Sequence, residues 1–163
     1  MAMIDFTKKI HKHCADDLEP GEQVLASTFG QPPGAIRRQV AFGAIGGAVG
    51  AVAAEVIANK RVTEADERAG DDGIALDIPA GKAVLALSAQ RLLVFGHSAL
   101  SGRPKGLNAS VPLDQVRSIA LDQGKLAGSM VITFADGTAI DFDIVKTAGP
   151  GEFAAAFSEI TGR

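Results

Sequence analysis

GSMVITFADGTAIDFDI, residues 128–144, reads as a β-hairpin. Met130, Ile132 and Phe134 alternate with smaller or polar residues on one arm. Ile140, Phe142 and Ile144 do the same on the other. A period of two places each set on one face of a pleated strand. Asp136-Gly137 lies between the arms and suits a tight turn in which one residue takes a positive φ. Thr133, Asp141 and Asp143 then fall on the opposite face, toward water.

Outward from this hairpin the chain keeps the same style. KAVLALS and QRLLVFG are short apolar strands joined at Ser88-Ala89-Gln90, and GLNASVPL and QVRSIALD follow. EQVLASTFG is a further strand near the start, so seven are expected, at 22–29, 82–88, 91–97, 106–112, 115–121, 128–135 and 138–145. The chain ends in AGPGEFAAAFSEI, where Pro150 suits a helix start. Phe153, Phe157 and Ile160 form a stripe there that must pack on something. At the other end, residues 1–18 read as a helix with Phe6, Ile10, Cys14 and Leu18 on one face, stopped by Pro20-Gly21. The fold class expected is α+β, mainly β. Residues 19–161 form a single domain, interrupted by a helical and loop insertion at 35–73.

The chain has 163 residues, 47% of them hydrophobic, and eight phenylalanines as its only aromatic residues. That composition supports a packed core built largely from aliphatic side chains. A net charge of −3 argues against nucleic acid as a partner, because phosphate neutralisation needs a basic face. Cys14 is the only cysteine, so no intrachain disulfide can form. With no secretory signal read at the N-terminus, a cytoplasmic protein is the simplest expectation.

The inserted segment AFGAIGGAVGAVAAE, residues 41–55, has no charge before Glu55. A P-loop needs Lys and Ser or Thr after its last glycine, and AVAAE follows Gly50 instead. The spacing of Gly43, Gly46, Gly47 and Gly50 is not that of a dinucleotide fingerprint. The uncharged run from Gln39 to Ala54 is shorter than the roughly 20 residues of a membrane span. What remains is a helix over 35–60 built for close packing. Gly43 and Gly47, and Gly46 and Gly50, form two G-x-x-x-G pairs that let another backbone approach. Phe42, Ile45 and Val49 fall mostly on a second strip. Two occupants of that surface stay open: the domain itself, or a second copy or other protein.

Other chemistry-bearing residues have plainer readings. Cys14 sits on the apolar stripe while His11 and His13 point elsewhere, so no metal is expected. His97 reads as an ordinary histidine at a strand end or in a loop. Arg91 and Arg117 read as solvated strand residues, and Arg103 and Lys105 as a small basic loop. No nucleophile with a base partner is found, so an enzyme and a cofactor are not expected.

Several segments together resemble bacterial pleckstrin-homology-like (PH-like) domains. EPGEQVLAS is similar to their first strand, and VLALSAQRLLVF resembles their ALT-x-x-RLLV hairpin. ASVPLDQVRSI looks like their next strand pair. SMVITFADGTAIDFDI followed by GEFAAAFSEI resembles their last hairpin and closing helix. The resemblance spans residues 19–30 and about 82–161. It implies a seven-stranded bent barrel or sandwich capped by the C-terminal helix, and a non-catalytic binding or assembly module. Lipid-headgroup binding is not carried over, because no basic headgroup motif aligns. On this reading Gly43, Gly46, Gly47, Gly50, Phe42, Ile45 and Val49 meet a protein partner, such as a second copy. The alternative is a peripheral membrane contact through the same helix, with Arg37, Arg38, Arg103 and Lys105 meeting anions.

Overall fold

The computed structural model describes residues 4–33, 73–79, 81–123 and 128–163. Within them, helix α1 (Phe6–His13) precedes β1 (Ala26–Gln31). Strands β2 (Ala83–Leu87), β3 (Arg91–His97), β4 (Pro104–Pro112), β5 (Val116–Gln123), β6 (Gly128–Phe134) and β7 (Ala139–Ile144) follow, and helix α2 (Pro150–Thr161) ends the chain. The strands form one antiparallel sheet in the order β4-β3-β2-β1-β7-β6-β5. The fold is therefore α+β and mainly β, with a helix at each end of the chain.

The uninterrupted apolar runs AVLAL and LLVF mark strands buried on both faces. Every residue of β2 is buried, as are Leu92 to Phe95 of β3. Leu85, Leu87, Leu92 and Val94 face one core with Met130, Ile132, Phe134, Phe142, Ile144, Phe153 and Phe157. Val84, Ala86, Leu93 and Phe95 face a second core with Phe6, Ile10 and Cys14. Helix α1 thus covers the outer face of β2 and β3, while α2 closes the inner core with its phenylalanines.

The hairpin of residues 128–144 forms as its pattern demands. Met130 stands opposite Phe142, and Ile132 opposite Ile140. Residues 135–138 join the two strands. Phe134 N–H donates to the Thr138 carbonyl at 2.8 Å, and Gly137 at φ +89° returns its N–H to the Phe134 carbonyl at 3.0 Å. Asp136 does more than shape this turn. One carboxylate oxygen accepts from Thr138 N–H and hydroxyl, and the other accepts from Ile74 N–H at 2.7 Å. This ties the short 3-10 turn Ile74–Asp77 to the hairpin. At Gly30 of β1, a Cβ would lie 2.7 Å from the Phe142 ring, so the aromatic packs directly on the backbone.

Three expectations need correction. Helix α1 is shorter than 1–18. Asp5 caps its start by accepting from Lys8 N–H at 3.1 Å, and at Cys14 the backbone leaves helical geometry before a 3-10 turn at Ala15–Asp17. Strand β1 begins at Ala26 rather than residue 22, and runs on to Gln31, which pairs with Asp143 of β7. Asp141 and Asp143 do not face open water. Asp141 is half-buried and Asp143 only 9% exposed, because β7 lies between β1 and β6 and its neighbours screen it. His97, expected at a strand end or in a loop, is the last residue of β3, where it pairs with Pro104. Residues 34–72, which include nearly all of the expected insertion, lie outside the described residues.

Candidate binding surface

Three features have chemistry to offer. The first is the seam between α1 and the β3–β4 hairpin. α1 ends in His11, Lys12 and His13, cations that suit the negative end of a helix. Lys9, one turn back, reaches across. Its Nζ donates to the Gly102 carbonyl at 3.2 Å and stands 5.2 Å from the centre of the Phe6 ring. That contact sets the tip of the hairpin beside the helix. Arg103 and Lys105, both exposed, follow Gly102 directly. His13 titrates below the ordinary histidine range, through partial desolvation and then the charges of Arg103, Lys12 and Lys9.

The second feature is an aromatic stack beneath this seam. Phe6 stacks on Phe29 with centroids 5.9 Å apart, and the His97 ring lies 4.6 Å from Phe29. Among the described residues, His97 Nδ1 is buried without a hydrogen-bond partner. Burial, followed by the charges of Lys82 and Lys9, lowers its pKa, so the neutral ring is favoured.

The third is a groove of about 400 Å³ between the start of α1, the start of β1 and α2. Ile4 and Leu25 line it and are 39% and 52% exposed. Its polar groups are largely engaged already. Asp5 caps α1 and pairs with Lys8 at 3.4 Å, and the Thr7 and Ser27 hydroxyls lie 2.8 Å apart.

Of the residues expected to bind, Arg103 and Lys105 lie at the seam of α1 and the β3–β4 hairpin. Arg37, Arg38, Phe42, Gly43, Ile45, Gly46, Gly47, Val49 and Gly50 lie outside the described residues. Cys14 is buried while His11 and His13 are exposed, so the three do not converge as ligands. Arg91 is not solvated. Its Nε and one terminal nitrogen donate to the two Glu22 oxygens at 2.9 and 2.6 Å. It also donates to the Asp17 carbonyl and to the Ser110 hydroxyl. Arg91 therefore ties together β3, β4 and the segment before β1, and is unavailable to an anion. Sequence reasoning missed Lys9 and His13 as neighbours of the Gly102-Arg103 turn. The signal was there as the basic end of α1, but nothing in the sequence placed that end beside residue 102.

No helix among the described residues is long and apolar enough to cross a membrane. In comparisons with known proteins, no family model matches the chain and no curated protein matches it.

Proposed function

We propose that this chain is a PH-like domain acting as a non-catalytic binding or assembly module, with the glycine-rich segment 35–60 as its partner surface. The fold part of this reading draws support from the strand order. β1–β4 and β5–β7 each run as a meander, and β1 pairs with β7. β4 and β5 stand at opposite ends of that order, yet only Leu113–Gln115 separates them. Four residue steps reach no more than about 14 Å. A flat sheet would set its first and seventh strands about 29 Å apart. A sheet bent into a barrel or sandwich, closed by Phe153 and Phe157 of α2, meets that constraint.

The observation that carries the assembly reading is the double G-x-x-x-G spacing of Gly43, Gly46, Gly47 and Gly50. Each glycine in a helix costs about 1 kcal/mol relative to alanine. Four of them on one strip are offset only by a backbone that packs close. The test is the mass of the full chain by light scattering across a concentration series, beside the double variant Gly43→Leu, Gly47→Leu. Self-association that the variant abolishes is the expected result. A wild type that stays monomeric at high concentration, with no partner lost in the variant, overturns it.

A further inference from the structure

The groove between the starts of α1 and β1 and the flank of α2 combines three properties in one place. Small side chains, Thr7, Ala26, Ser27 and Ala156, make up half of its lining, so another backbone can come close. Ile4 and Leu25 also line it. They are two of the three large apolar side chains that the described residues expose, and exposed apolar area gathered at one spot marks a contact surface. The charged groups of the lining are both acidic, Asp5 and Glu152. Asp5 caps α1 through Oδ1, and its Oδ2 meets Lys8 at 3.4 Å. That lysine is 87% exposed at its side chain, so the pair is too solvated to close the groove. Glu159 extends the acidic line, because positions 152, 156 and 159 share one face of α2.

The chain itself carries the complement of this surface. Gly43, Gly46, Gly47 and Gly50 stand among Phe42, Ile45 and Val49, with Arg37-Arg38 before them and no acid until Glu55. The ends of that segment point away from the groove of its own chain. Leu25 to Ser27 stand at the first end of β1, whereas Gln31 closes the strand about 17 Å away, at about 3.3 Å per residue. The segment begins just past Gln31. It ends at Gly73-Ile74, and Ile74 N–H is bonded to Asp136 at the tip of the β6–β7 hairpin. β7 pairs antiparallel with β1 through Gly30 and Gln31, so that tip also lies beyond the Gln31 end. Both connections therefore start at the end of β1 opposite the groove.

We propose that the groove receives the glycine-rich segment 35–60 of a second copy of this chain, its small residues meeting the glycines and its carboxylates meeting Arg37 and Arg38. The contact rests on the assembly role proposed for that segment and adds the surface that receives it. The test is the mass of the full chain by light scattering across a concentration series, at low and high salt. Self-association that salt weakens is expected. Leu25→Asn weakens it about fivefold, from the lost apolar transfer. Glu152→Arg weakens it at least about tenfold, by setting like charge against Arg37 and Arg38. Arg117→Gln, exposed on β5, leaves it unchanged. The groove variant Leu25→Asn, Glu152→Arg and the strip variant Gly43→Leu, Gly47→Leu are each expected to be monomeric. Mixing them restores association, because one brings an intact segment and the other an intact groove. Leu25 and Glu152 are exposed, and a thermal melt verifies folding. Leu25→Cys with Ile45→Cys, oxidised, gives a covalent dimer. A crosslink within a monomer assigns the groove to the chain's own segment and overturns the proposal. A monomeric wild type overturns this contact along with self-association through residues 35–60. Self-association that survives the groove variant, or that mixing fails to restore, overturns this contact alone.

Discussion

Glu22 and Arg91 stand 69 residues apart in the chain and form a two-pronged pair that is 5% and 15% exposed at the side chains. The Arg91 hydrogen bonds outweigh the desolvation that opposes them and hold the Glu22 carboxyl at about 2 rather than 4.5. Between those values the unfolded chain binds a proton that the folded chain refuses. Stability therefore falls as pH drops from about 4.5 toward 2, and this contribution is complete above that window. Glu22→Gln is expected to cost about 3 kcal/mol at neutral pH by leaving a buried guanidinium without its counter-charge. It should also flatten the acid limb. Urea denaturation at pH 7 and across the acid range measures both. A variant as stable as the parent would show that Ser110 and the Asp17 carbonyl suffice for Arg91. None of this pairing was legible beforehand. Glu22 sat in an expected strand and Arg91 looked solvated, since sequence gives no distance between residues so far apart.

The elements were largely legible because their periods are set by backbone geometry. The period-two pattern of residues 128–144 admits one pairing that buries Met130, Ile132, Phe142 and Ile144 together, and the structure has it. The strands at 91–97 and 83–87 match their expected places closely. Helix α2 also forms where expected, with Pro150 in its first turn and Gly162 at φ +70° ending it. Phe153 is fully buried and joins the inner core. Phe153→Ala is expected to cost about 3–5 kcal/mol, because the cavity left there cannot collapse against strands on several sides. Glu159→Ala, exposed on the same helix, is expected to stay within about 0.5 kcal/mol. Chemical denaturation of the two variants measures the contrast, and a similar small loss in both would mean α2 is not part of the core. Boundaries were less legible. Strand β1 shifted toward its C-terminus because Gln31 found a partner in β7 and Glu22 was taken by Arg91, both of them tertiary events.

Over the whole molecule, α1 is fastened to the outer face of the sheet by Phe6, Ile10 and Cys14. Burial raises the Cys14 thiol above its ordinary value, so both access and thiolate are suppressed. Modification by a thiol reagent at neutral pH is expected to run at least about a thousand-fold slower in the folded chain than in denaturant. Labelling followed by mass spectrometry reads the rate. Fast labelling of a chain still folded by circular dichroism would mean α1 undocks on its own. Sequence by itself determined the mainly-β class, the seven strands found among the described residues, the two terminal helices and which faces are apolar, since period and turn chemistry are local. The tertiary structure alone decided that Arg91 serves Glu22, that Asp143 is screened, and that the basic end of α1 meets the β3–β4 hairpin. Each of these depends on which distant segments pack side by side, and that is set by burial of two cores at once, not by any pattern along the chain.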